Sequence, residues 1–301
     1  MSSRSWALVC AWIVAIIYGM TFTIAKDVMP KYIDAYGFIV LRVGGATILF
    51  WLVSFLGPKE KIAKNDFLRI AACAFFGVAL NMLTFFKGLS YTSPIMGAVL
   101  MVTTPMIVLI LSSIIMKERM QSKKVIGILL GLAGTITLIL YGKALNNAPN
   151  ATLGNLLVFV NAVSYGFYLI FVKKLMDRYN AFTFVKYIYL FGFFMVLPFG
   201  FNELQVVNWN EIPLDISLKI GFVVIFSTFF TYLLNLISMR NLKPTTVAVF
   251  IYLQPFFATI FAIGLGKDNL NLVKIISATL IFVGVYLVIH KKKEVNIPSE
   301  H

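Results

Sequence analysis

Few residues able to do chemistry lie inside the long apolar runs of this chain, and their types suit binding rather than bond breaking. Arg42 stands some seven residues into the run that begins near Ala35, roughly 10 Å deep at 1.5 Å per residue. A guanidinium at that depth needs a carboxylate, a backbone carbonyl or a lipid phosphate. Binding a solute carboxylate competes here with a structural pair or with snorkelling to the surface. Asn81, Asn161 and Asn235 are mid-run amides, suited equally to interhelical hydrogen bonds and to solute contact. Tyr18, Tyr165, Tyr168, Tyr232 and Tyr252 could line an amphipathic cavity with π-faces and hydroxyls. In a chain with 28 Phe and 13 Tyr, lipid-facing and core positions are the competing assignment for each ring. Pro105 and Pro255 fall within their runs, directly after Thr104 and Gln254. Each proline removes an N–H donor and frees an upstream carbonyl, so a kink is expected at both, serving either packing or a pathway.

What is missing narrows the chemistry further. All twelve acids lie in loops or at run ends, whereas a proton-coupled pump buries a titratable group on its path. Glu118, at a helix end, is the one candidate for that role, with capping or pairing to nearby bases as the alternative. HExxH, GxSxG and paired intramembrane aspartates are absent, which argues against an intramembrane enzyme. His290 and His301 sit at or beyond the last run, and Cys10 and Cys73 lie in apolar surroundings without ligand spacing. No catalytic residue, no metal site and no cofactor are therefore expected.

The elements that must position these residues are membrane helices. The chain has 301 residues, 60% hydrophobic and 13% charged, with mean hydropathy +0.89. Such a composition excludes an ordinary soluble domain, and runs of about 18 or more apolar residues each suffice to cross a bilayer core of roughly 30 Å. Ten spans are expected: Trp6–Ala25, Ala35–Leu56, Arg69–Phe86, Ser93–Met116, Lys124–Tyr141, Leu153–Val172, Phe182–Phe201, Ile216–Met239, Pro244–Gly266 and Leu272–His290. The net charge of +14 invites a nucleic-acid reading, but its placement follows the membrane instead. With the N-terminus inside, cytoplasmic segments hold seventeen Lys and Arg against six outside. Both termini are thus expected in the cytoplasm. Lys186 and Lys219, near span ends, are expected to snorkel.

The chain also repeats itself. From Ser93 and from Lys243, at an offset of 150, ten of 42 ungapped positions are identical, Pro105/Pro255, Lys117/Lys267 and Gly134/Gly284 among them. At an offset of 147, Ala15, Tyr18, Gly19 and Lys26 match Ala162, Tyr165, Gly166 and Lys173. Five spans per half is odd, so the second copy enters the membrane from the opposite side. The expected fold class is an all-α membrane protein of ten transmembrane helices, built as two inverted-topology repeats of five over residues 1–145 and 146–301. A fold built by doubling places its cavity between the halves, where membrane transporters bind substrate. Gly127, Gly131 and Gly134 step along one face of the fifth span, a packing seam expected within the molecule.

These motifs resemble the EamA-type members of the drug/metabolite transporter superfamily. The likeness rests on Tyr18-Gly19 and Lys26, LRVGGA (Leu41–Ala46), KGLSYTSP (Lys87–Pro94), TTP (Thr103–Pro105), Lys117-Glu118, and Ile126-Gly127 with Gly134. In the second half it continues through Gly154–Tyr168 and Gln254-Pro255. The chain departs in carrying Asp268 where the family usually has glutamate, and in lacking a second-half counterpart of Arg42. The resemblance implies a central cavity lined by spans 1, 3, 4, 6, 8 and 9, and export or facilitated diffusion of amino acids or related metabolites by alternating access. It implies an inner, cytoplasmic membrane protein, monomeric or a weak homodimer, whose partners are lipid and a small solute and not nucleic acid. A proton-coupled drug/metabolite antiporter and a non-transporting membrane scaffold are the alternatives.

Overall fold

The computed structural model describes residues 2–55, 57–91, 100–117, 121–140, 151–264 and 272–289. Among these residues the structure is helical, with no strand. We number the helical segments α1 (Ser3–Val28), α2 (Ala35–Ser54), α3 (66–91), α4 (Thr104–Ile115), α5 (Ser122–Leu140), α6 (Ala151–Met176), α7 (Ala181–Gln205), α8 (214–241), α9 (244–264) and α10 (Leu272–Ile289). Six stretches are long and apolar enough to cross a membrane: Ser3–Thr21, Ala35–Ser54, Asp66–Gly88, Thr152–Met176, Ala181–Gln205 and Leu214–Asn241. Shorter apolar stretches occur at Thr104–Ile115, Pro244–Phe257 and Ile275–Val288.

Several helices run past the apolar stretch that marks them, because their ends are capped. Ser2 Oγ accepts from Ser5 N at 3.2 Å and starts α1 early. Asn180 Oδ1 accepts from Phe182 N at 3.1 Å at the start of α7. At α2 the cap comes from a distant helix: Glu203 Oε2, near the end of α7, accepts from Gly37 N at 2.7 Å. A carboxylate at a helix N-terminus meets both the orphan N–H groups and the positive end of the helix dipole.

The same contacts place helix ends on two faces. On one face Asp66, at the start of α3, accepts from Arg178 and from Tyr179 Oη, the latter at 2.9 Å. There also Lys173 Nζ, late in α6, donates to Met239 O in α8 at 2.8 Å, and Ser238 Oγ to Ala7 O in α1 at 2.9 Å. On the other face Lys219 pairs with Asp27 at 2.7 Å, joining the start of α8 to the end of α1. Consecutive helices α1, α2 and α3, and likewise α6, α7 and α8, therefore alternate in direction.

Helix contacts recur with element numbers shifted by five. α3 packs on α6 as α8 packs on α1, α4 on α6 as α9 on α1, and α2 on α8 as α7 on α3. α2 with α7, α5 with α10, and α4 with α9 form the pairs that map onto themselves. Two local irregularities recur in the same way. α3 runs as Asp66–Ala74, a π-helical turn Phe75–Ala79, and Leu80–Tyr91. α8 runs as Leu214–Phe222, a π-helical stretch Val223–Phe230, and Thr231–Asn241. Adding 150 to the first turn lands inside the second. A π turn carries an extra residue and rotates everything after it relative to everything before. In α3 this lets Ile70 and Cys73 face the core while Asn81, Phe85 and Phe86 face inward onto a cavity.

The expected proline kinks take a different form. In the first half the chain turns at Val102 and Thr103, outside regular helix, and α4 begins at Thr104 with Pro105 in its first turn. Thr103 Oγ1 donates to Leu100 O at 2.6 Å, covering a carbonyl at the break. In the second half Phe250–Tyr252 is a 3-10 turn inside α9, and Leu253–Gly264 restarts with Pro255 in its first turn. A proline at a helix start loses no interior hydrogen bond, so both runs are interrupted upstream of the proline and neither is simply bent at it.

The glycine seam is internal. A Cβ on Gly127 would stand 2.7 Å from Gly284 O, and one on Gly134 2.8 Å from Ser277 O. Hydrogen at these positions is what lets the α5 and α10 backbones touch. Ile48, Ile114, Phe194 and Leu218 are more than half exposed, as lipid-facing side chains would be.

Candidate solute-binding cavity

A cavity of about 150 Å³ lies among α1, α2, α3, α6, α8 and α9. Seven of the side chains expected at a binding site meet on it: Tyr18, Arg42, Asn81, Asn161, Tyr165, Tyr232 and Gln254. Four do not. Thr104 is fully buried on α4, with its hydroxyl unpartnered among the described residues. Tyr168 packs over Gly77 and against Tyr165, with ring centroids 5.9 Å apart, behind the cavity wall. Tyr252 belongs to the core between α9, α5 and α10, its ring over Gly131. Asn235 lies outside the wall, where it and Thr231 approach the Tyr18 hydroxyl. Pro105 and Pro255 also lie off the cavity, although Met101 and Gln254 beside the two breaks are on it. The expected wall of spans 1, 3, 4, 6, 8 and 9 thus holds with two changes: α2 contributes Arg42, and the fourth run contributes Met101 from upstream of α4. Glu118 and Asp268 lie outside the described residues, as does the side chain of Lys26.

Arg42 is the charged centre of the cavity. It is 5% exposed, so it does not snorkel. Nor does it form a structural ion pair, since no carboxylate lies within 4 Å of it among the described residues. Its Nε donates to Thr228 Oγ1 at 3.0 Å, and the Thr228 hydroxyl donates onward to Val223 O at 2.7 Å. That carbonyl is five residues back, within the π-helical stretch of α8. Phe86 lies against the guanidinium with 5.1 Å between Cζ and the ring centroid. Tyr18, Tyr189 and Tyr232 stand within electrostatic reach of the guanidinium. The two lysines near span ends behave otherwise: Lys219 pairs with Asp27, and Lys186 lies over the Trp51 ring at 4.9 Å.

The α3 π turn is held by hydroxyls from the other half of the chain. Tyr232 Oη donates to Gly77 O at 2.6 Å and Ser164 Oγ to Phe76 O at 2.7 Å. Asn161 Nδ2 donates to Asn81 O at 2.7 Å, one turn further along α3. The interhelical role expected of the amides is therefore real for Asn161. Its Oδ1 nevertheless remains buried without a partner among the described residues, as does Ser227 Oγ, and both residues line the cavity.

Sequence reasoning missed Met82, Phe85, Phe86, Ser227 and Ile251 on the wall, and Tyr189 behind it. The internal repeat held the signal for two of them. The offset of 147 carries Arg42 onto Tyr189, and the offset of 150 carries Gly77 onto Ser227.

Comparison with other proteins agrees with this architecture. The EamA-like transporter family matches residues 5–140 and again 152–290. An uncharacterized transporter of Archaeoglobus fulgidus is 27% identical over 286 residues, 93% of this chain and 99% of that one. The uncharacterized transporter YetK of Bacillus subtilis is 26% identical over 283 residues, 92% of this chain and 85% of that one. One solved crystal structure shares the fold with a TM-score of 0.75 at 16% identity, covering 94% of this chain and 96% of the other. With the family match spanning nearly the whole chain in two copies, this multi-pass membrane protein belongs to the EamA-like transporter family.

Proposed function

We propose that the protein moves small amphipathic metabolites, amino acids or related compounds, by alternating access of two inverted five-helix repeats, residues 1–145 and 146–301. The observation that carries this reading is the cavity itself, where both halves supply polar groups: Arg42 and Asn81 from one, Asn161, Tyr232 and Gln254 from the other. Contacts recurring with element numbers shifted by five support the repeat, and an odd number of helices in each copy supports an inverted one. The lysine and arginine bias favours both termini in the cytoplasm, and the location we favour is the inner membrane. Rocking of one half against the other would pass the cavity from face to face. The direction we favour is export or facilitated diffusion. No Asp, Glu or His lines the cavity among the described residues, which favours uniport or exchange over proton antiport.

The test is counterflow of labelled amino acids and related acids into proteoliposomes, with pH and membrane potential clamped separately. Equilibration without a gradient, slowed by Gln254→Leu in a protein of unchanged stability, is the expected result. Accumulation driven by a pH gradient would favour the antiporter reading, and no flux of any solute through folded protein would overturn transport.

A further inference from the structure

We infer that the cavity selects organic monoanions: a carboxylate, or an equivalent singly charged oxyanion, docks on Arg42, and an added ammonium is refused. This rests on reading the cavity as the solute site; of the solutes proposed above it keeps the related acids and excludes the α-amino acids themselves.

The cation comes first. Of the five N–H groups of the guanidinium, one is used, by Thr228. Neither Nη has a protein acceptor among the described residues, and the Phe86 ring packs against the planar group. A fork held at Nε presents its remaining N–H groups as a ready bidentate seat for an oxyanion. A cation buried to 5% exposure is costly unless a counter-charge or several acceptors meet it. Three phenols and a threonine hydroxyl are dipoles, so the balancing charge is left to the solute.

The anion side is equally specific. Asp27, near the cavity end of α1, is held by Lys219 at 2.7 Å. The other polar side chains on the cavity, Asn81, Asn161, Ser227 and Gln254, are neutral. They suit a hydroxyl, a keto group or a neutral N–H, and they supply no countercharge. In an α-amino acid the ammonium is one carbon away from the carboxylate, so docking on Arg42 would bring two cations together with no acid of the described residues between them. Met82, Phe85, Met101 and Ile251 supply an apolar wall for the rest of the solute. A cavity of about 150 Å³ holds a body the size of a benzene ring.

The probes are benzoate, its neutral isostere benzamide, and the zwitterions phenylglycine and phenylalanine. Each is titrated against the purified full-length protein in detergent, and the rise in unfolding temperature gives the apparent affinity. Benzoate should bind at least tenfold more tightly than benzamide or either amino acid. Arg42→Gln should abolish the preference for benzoate over benzamide, and Arg42→Lys should retain part of it. If Arg42→Gln does not fold, the wild-type ligand series and Arg42→Lys still decide. Flux is measured with labelled benzenesulfonate, whose permanent charge prevents leak through lipid.

Binding of phenylalanine as tight as that of benzoate would overturn the inference and leave the transporter reading standing. So would benzoate binding unchanged in Arg42→Gln. Arg42-dependent benzoate binding without benzenesulfonate counterflow would support the inference while counting against transport.

Discussion

Replacing Gly284 by alanine sets two known effects against each other. In a helix interior alanine is favoured over glycine by about 1 kcal/mol. At Gly284 the new Cβ would lie 2.6 Å from Gly131 N and 2.9 Å from Gly131 Cα. That is roughly 0.6–0.9 Å inside ordinary contact of about 3.5 Å. The obstructing atoms are backbone of α5, so no side-chain rotation relieves the overlap, and the two helices must part. Overpacking costs about 1–3 kcal/mol, and an obstacle made of helix backbone calls for the upper part of that range, which leaves a net loss of about 1–2 kcal/mol after the propensity gain of about 1 kcal/mol. In a chain of this size that corresponds to a fall of several degrees in the unfolding midpoint. Gly221, in α8, is the control, because its added Cβ meets nothing within 4 Å. Gly221→Ala should therefore be neutral or raise the midpoint slightly. Both are read in detergent with a thiol-reactive dye, since Cys10 and Cys73 are 0% exposed until the protein opens. A midpoint for Gly284→Ala at or above the wild type, or an equal fall in Gly221→Ala, would refute the claim that backbone contact limits this seam.

Three further outcomes are expected. Tyr232→Phe and Ser164→Ala each remove one hydroxyl from the α3 π turn and should each cost about 1 kcal/mol. Only Tyr232 lines the cavity, so solute affinity should fall in Tyr232→Phe and hold in Ser164→Ala, as read by ligand-dependent melting. Asp66→Asn weakens a carboxylate that accepts from Arg69, Arg178 and Tyr179. It should cost about 1–3 kcal/mol, whereas Arg178→Gln, whose side chain is 60% exposed, should cost under about 1 kcal/mol in the same melt. Asp27→Asn, at a half-exposed pair with Lys219, should leave the midpoint almost unchanged, and a large fall would show that this contact holds the cavity face together.

How the architecture and the site divide between chain and fold follows from the physics of each. A bilayer punishes any unpaired backbone group, so apolar runs must be helices wherever they cross. Apolar runs and their doubling are written in one dimension, and the family match in two copies agrees with the doubling. Intramembrane polar side chains are rare for the same reason, so Arg42, Asn81, Asn161 and Gln254 could be picked out as unusual before any fold was known. Which of them share a cavity was another matter. The π turn in α3 rotates Phe85 and Phe86 inward, and nothing in FFGVA (75–79) marks an added residue per turn. Tyr252 and Thr104 carry polar groups as Tyr232 and Gln254 do, but helix rotation around the breaks at Thr103 and Phe250–Tyr252 turns them into packed core. The seam at Gly127, Gly131 and Gly134 was visible as small residues on one face, while its partner, Gly284 on α10, emerged only once the two helices met. Arg42 shows the division most sharply. Its depth follows from counting residues, and its lack of a protein carboxylate depends on where every acid in the described chain ends up. Periodicity and solvent preference act along the chain and can be read from it, whereas rotation, approach and charge pairing are settled between helices.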